Sequence, residues 1–132
     1  MPATLQQLLL VTVGSSIGGV TRWLVALWFG RWLGTAFPWG TLVINVTGSL
    51  FLGWFLTTTD ERLATVLKMD PGNLRLLVAT GFTGAYTTFS TFEYETQQLL
   101  ADRWLAAAAY VSVSVFLGLL AVQAGVMLAR GR

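Results

Sequence analysis

Four apolar runs, residues 4–30, 38–58, 74–100 and 104–129, leave a chain of this length very few ways to fold. Each is at or above the roughly 20 residues that an α-helix needs to cross hydrocarbon. Too little polar sequence remains to coat a soluble domain, and a mean hydropathy of +0.66 with 11% charged residues says the same. The expectation is an all-α integral membrane protein: one domain over residues 1–132, with four transmembrane helices and a polar loop at 59–73. The first run lacks the basic start and small-residue cleavage site of a signal peptide, so it is expected to stay in the mature chain.

The third run does not read like a lipid-facing helix. Its stretch Gly81-Phe-Thr-Gly-Ala-Tyr-Thr-Thr-Phe-Ser-Thr-Phe-Glu-Tyr-Glu95 places two glycines and five threonines and serines inside a span. Glycine together with threonine favours unwinding, and broken backbone at membrane depth persists only where protein or a water-filled cavity satisfies its freed groups. Residues 84–90 are therefore expected to interrupt the helix beside a conduction or binding path. Close packing through small residues is the competing reading.

The other runs carry isolated polar groups. Gly14-Ser-Ser-Ile-Gly18 is a small-xxx-small pattern that lets another helix approach closely. Arg22, about 27 Å along the helix from Thr4, reads either as a snorkelling interfacial cation or as a cation at the mouth of an anion path. In the second run Thr41 and Asn45 are i and i+4 on one face, and Asn45 either bridges helices or faces water or an ion. Phe89 and Phe92 share a stripe at i and i+3, while Glu93 and Glu95 read most cheaply as helix-exit residues reaching the interface, the alternative being that one of them caps or pairs internally. The fourth run sets Tyr110, Ser114 and Gly118 on one face.

Depth relates these groups to one another. Asn45 lies about 10 Å in from Pro38, Phe92 about 12 Å from Leu100 and Tyr110 about 9 Å from Trp104, all measured from one membrane face. Three helices thus place polar or aromatic side chains at one level, which fits a lined half-path better than three unrelated contacts.

Composition narrows the chemistry. With no cysteine and no histidine, disulfides, thiol nucleophiles and most transition-metal sites are absent, and enzymology has few tools. The net charge of +2 arises from segment ends rather than from a basic face, so nucleic-acid binding is not expected. Arg62, Lys68, Arg75, Arg130 and Arg132 would lie on the amino-terminal side, against Arg31 and Arg103 opposite, a bias toward one orientation.

Taken together, Gly18-Gly-Val-Thr-Arg22, Gly40-Thr-Leu-Val-Ile-Asn-Val-Thr-Gly48 and Gly81 to Phe92 followed by Glu95 resemble the Fluc (CrcB) family of fluoride channels. The resemblance covers essentially the whole chain, and its third motif is the most specific. It implies an antiparallel homodimer with two pores in the cytoplasmic (inner) membrane, passive fluoride export and rejection of chloride. Carried over by position, Asn45 would be the pore amide with Thr41 one turn away. Phe89 and Phe92 would be the rings that meet the ion, Tyr110 and Ser114 a hydroxyl track, and Arg22 a vestibule cation. Ser90 and Thr91 would add donors. A structural sodium ion would be held at the dimer centre by the backbone carbonyls of Gly84 and Thr87. The chain departs from the family pattern at Thr83 and Ala85.

Two further functions compete. A small proton-coupled multidrug exporter can also be a four-helix antiparallel dimer, but it wants a membrane-embedded carboxylate, and the first run has none. An inert structural subunit would use the polar layer only as interhelical glue. Pairing with an oppositely oriented partner chain is the alternative to a homodimer.

Overall fold

The computed structural model describes residues 3–58 and 62–131, and those residues are overwhelmingly helical. Among the described residues three helices are long and apolar enough to cross a membrane: α1 (Ala3–Leu33), α2 (Trp39–Thr58) and α7 (Trp104–Arg130). Their bounds follow the first, second and fourth apolar runs closely. Pro38 lies just ahead of α2 and its carbonyl accepts from Leu42 N–H, so a residue without an amide donor stands where none is needed.

The predicted third span is a succession rather than one helix. α4 (Pro71–Arg75) is capped by Asp70, whose side chain accepts from Asn73 N–H at 3.1 Å. It runs on into a π-helical segment, Leu76–Thr83, and then into the single turn α5 (Gly84–Tyr86). Thr87 (φ −77°, ψ 159°) and Thr88 (φ −150°, ψ 121°) are extended, and α6 (Phe89–Asp102) begins after them. The interruption expected within 84–90 thus falls at Thr87 and Thr88.

The segment 59–73 is less loop-like than its polarity implied. Residues 59–61, with Asp60 and Glu61, lie outside the described residues, as does Arg132. From there α3 (Arg62–Leu67) forms one and a half turns, because Ala64 can bury against Phe55 and Leu74 in a small apolar cluster. Lys68, at φ 50°, then takes the left-handed conformation that ends the helix.

Two close backbone contacts hold the spans together. α1 lies against the π-helical segment at Gly14 and Gly18, where an added Cβ would run into the carbonyl oxygens of Leu77 and Phe82 respectively. α2 packs most extensively against α7, with Gly53 against the Val122 carbonyl and Gly125 against that of Leu50. Hydrocarbon gives no hydrophobic drive for helix association, so such close approach, with its dense dispersion contacts, is what holds apolar helices in register. The segment that the Gly14–Gly18 pattern admits is therefore the π-helical stretch Leu76–Thr83. At the opposite end, Arg103 donates to the Ala36 carbonyl at 2.6 Å and ties the α6–α7 junction to the α1–α2 connection.

Candidate functional site

Where α5 ends, the backbone turns away from helical bonding and a side chain from α2 takes over. The Thr88 N–H, which would close onto the Gly84 carbonyl in a continuous helix, instead donates to Asn45 Oδ1 at 2.9 Å. Asn45 Nδ2 donates in turn to the Thr88 carbonyl at 3.0 Å. This reciprocal pair fixes which way the amide points and secures both peptide groups of the extended residue. One Nδ2 hydrogen is left over, beside a cavity of about 280 Å³ bordered by Ser49, Thr83, Gly84, Thr88 and Phe89.

Thr88 also starts α6. Its hydroxyl accepts from Thr91 N–H at 3.3 Å and bonds the Thr91 hydroxyl at 2.9 Å, an N-cap in which the side chain replaces the missing helical acceptor. The Thr91 amide is thereby drawn away from the Thr87 carbonyl. That carbonyl and Gly84's have both lost the donors that helical continuity would give them. Arg22 Nη1 stands 3.5 Å from the Thr87 oxygen, a long ion–dipole contact. Thr88→Ala is expected to cost about 1 kcal/mol, the usual worth of an N-cap, with Thr88→Ser close to wild type; thermal unfolding of the detergent-purified protein measures both.

A second cluster lies along α6. The Glu95 carboxylate accepts from the Thr41 hydroxyl through Oε1 and from the Tyr110 phenol through Oε2, each at 2.8 Å. Tyr110 is fully buried, with the Phe92 ring at 5.1 Å and the Phe37 ring edge-on at 5.4 Å. Thr41 and Asn45, one turn apart on α2, thus grip α6 near its middle and at its cap. A cavity of about 370 Å³ opens at Thr41 and Glu95 toward Gln98 and Arg103.

Phe89 and Phe92 sit between the clusters with ring centroids 6.0 Å apart. Phe89 is 70% exposed and borders both the cavity at the break and a further one, about 300 Å³, that Phe92, Thr96 and Leu100 also line. Ser90 is exposed, and the buried Ser114 oxygen has no hydrogen-bond partner. Of the residues singled out from sequence, Thr41, Asn45, Phe89, Phe92, Thr91 and Tyr110 surround the first turns of α6. Arg22 is placed apart from them, against Thr87, and Ser114 bonds none of them.

Of the two readings of Glu95, leaving the membrane or pairing internally, the structure has the second, for it joins three helices. The signal was available: Glu95 is i+3 from Phe92 and four residues before buried Leu99, so it lies on the inward stripe of α6. The capping role of Thr88 was readable too, as a threonine within the predicted break and three residues before another hydroxyl.

A family model described as "CrcB-like protein, Camphor Resistance (CrcB)" matches residues 9–126. The chain is 41% identical over 128 residues to the fluoride-specific ion channel FluC of Trichormus variabilis, across 96% of this chain and 90% of that protein. To the FluC of Nitrobacter winogradskyi it is 44% identical over 124 residues, across 93% and 94%. The FluC of Chloroflexus aurantiacus shares 41% over 127 residues, across 96% and 97%.

Proposed function

The chain belongs to the CrcB family, and from that premise we propose that it is a fluoride-specific ion channel, a conduit rather than an enzyme, that lets fluoride leave the cell down its gradient. The observation that carries this reading is the helix break clasped by Asn45, where an amide hydrogen and an exposed phenyl ring border one cavity. Fluoride is small and tightly hydrated, so a path must replace water with donors. In this reading Asn45, Ser90, Thr91, Tyr110 and Ser114 supply them. The rims of Phe89 and Phe92 carry the positive edge of the aromatic quadrupole and meet the anion edge-on. Many weak donors bind strongly enough to admit an ion and weakly enough to release it.

Glu95 adds a condition to that path. The Tyr110 and Thr41 hydroxyls already give their hydrogens to its carboxylate, so an anion at this level competes with Glu95 for them. Each hydroxyl has one hydrogen and can serve only one acceptor at a time.

The assembly we propose is an antiparallel homodimer of four-helix protomers in the cytoplasmic membrane, the interrupted 74–100 run counting as the third span. A partner chain of opposite orientation is the alternative. Exposure of Phe89 at the break suits a face that a second copy covers. In that dimer the Gly84 and Thr87 carbonyls of both copies would hold a sodium ion. The donor set fits: both oxygens have lost their helical donors, and the carboxyl ends of half-helices are where such cations bind. When bound, the ion would neutralise these carbonyl dipoles and tie the two breaks together.

Purified protein in liposomes loaded with potassium fluoride or potassium chloride tests the function. Fast fluoride release with negligible chloride release is expected, and equal release of both anions would refute the proposal.

A further inference from the structure

Arg22, expected from the sequence at an interface or at the mouth of an anion path, borders none of the three cavities at Asn45, Phe89, Phe92 and Glu95. It is half-buried, and its guanidinium is directed at a carbonyl dipole of the break. The approach is built in. Arg22 lies one turn beyond Gly18, and the contact of Gly18 with the Phe82 carbonyl fixes the height of α1 beside the π-helical segment and α5. The oxygen it meets, that of Thr87, is one of the two that lost a helical donor when Asn45 and Thr88 redirected the amides around them.

We infer that Arg22 is a positioning residue, the tethered cation of the helix break, and that its charge opposes sodium at the Thr87 carbonyl instead of gathering fluoride. The inference rests on the proposed sodium site. Two positive charges that share one acceptor in a partly desolvated site repel one another, so each weakens the binding of the other. That coupling is reciprocal. Arg22 therefore keeps the break intact when sodium is scarce and makes the site less avid when sodium is plentiful. An anion collector at a vestibule would leave sodium binding untouched.

The test is thermal unfolding of the full-length protein in detergent, as sodium replaces N-methylglucamine at constant ionic strength. A ligand that binds the folded state raises its stability by mass action, so the midpoint reports sodium affinity without any flux measurement. Arg22→Gln is expected to reach half its sodium-induced rise at a concentration about fivefold below wild type, the size of a modest charge–charge coupling. Because the chain has no cysteine, Arg22→Cys offers a single thiol, and the charge can be restored or withheld on one folded protein. A trimethylammonium-ethyl disulfide adduct should behave like wild type and a neutral methyl adduct like Arg22→Gln.

Equal sodium dependence in every form, with a clear rise in wild type, would overturn the role of Arg22 and leave the sodium site standing. A weaker sodium response in Arg22→Gln would also overturn it, since Arg22 would then be helping to form the site. No sodium-dependent rise in wild type would remove the sodium reading itself, and this inference with it.

Discussion

Asn45→Asp is expected to abolish fluoride flux, lowering efflux from liposomes at least about 100-fold, which corresponds to roughly 2.7 kcal/mol. The two side chains are nearly the same shape, so the effect isolates chemistry. Aspartate can still accept from Thr88 N–H, as Asn45 does at 2.9 Å. Its second oxygen then faces the Thr88 carbonyl, where the amide now donates at 3.0 Å, and an attraction becomes a repulsion. The same substitution fixes a negative charge at a half-buried point beside the cavity of the break, where an approaching anion meets a barrier in place of a donor. A fluoride electrode following efflux reads the result, and size-exclusion elution shows whether the variant is folded. Wild-type flux from a folded Asn45→Asp would mean that this amide neither holds the break nor faces the path.

Gly18→Ala is expected to have the largest effect on folding. Its Cβ would press into the Phe82 carbonyl oxygen, with the Phe82 Cα 3.1 Å away, and backbone cannot swing aside as a flexible side chain can. α1 must then lift from the π-helical segment, and overpacking of this kind costs about 3 kcal/mol or more, enough to lower the unfolding midpoint by roughly 10 °C. Gly19→Ala is the control, because nothing stands within 4 Å of a Cβ there and no loss is expected. The pair differs by one residue, so lipid and detergent affect both alike. Equal stability of the two variants would show that the α1 contact can open without cost.

Much of this arrangement was legible because each signal had a single dominant cause. Run lengths set α1, α2 and α7, since only hydrocarbon thickness selects apolar stretches of that size. Glycine spacing marked where α1 admits a close neighbour without saying which segment supplies it, and dense hydroxyls beside Gly84 located the break. Hydrogen-bond partners were harder to foresee. The sequence left Asn45 between bridging helices and facing an ion, and in the structure it bridges with one N–H and both backbone groups of Thr88 while keeping a second N–H for the cavity. For Glu95 the outward reading was the cheaper and internal pairing the alternative, because a carboxylate in a span is costly. That cost is offset by two hydroxyl donors on helices far apart in sequence, Thr41 and Tyr110, which no local pattern reveals. The short helix α3 was missed for a related reason: Ala64 is an ordinary residue until Phe55 and Leu74 come to meet it.

The central claim is selectivity produced by neutral donors and ring edges at a clasped helix break. Current through a planar bilayer containing the purified protein, with fluoride and chloride gradients set in opposite directions, tests it most directly. The account predicts a reversal potential at the fluoride equilibrium potential, unmoved by chloride. A reversal that follows chloride, or lies midway between the two, would contradict it.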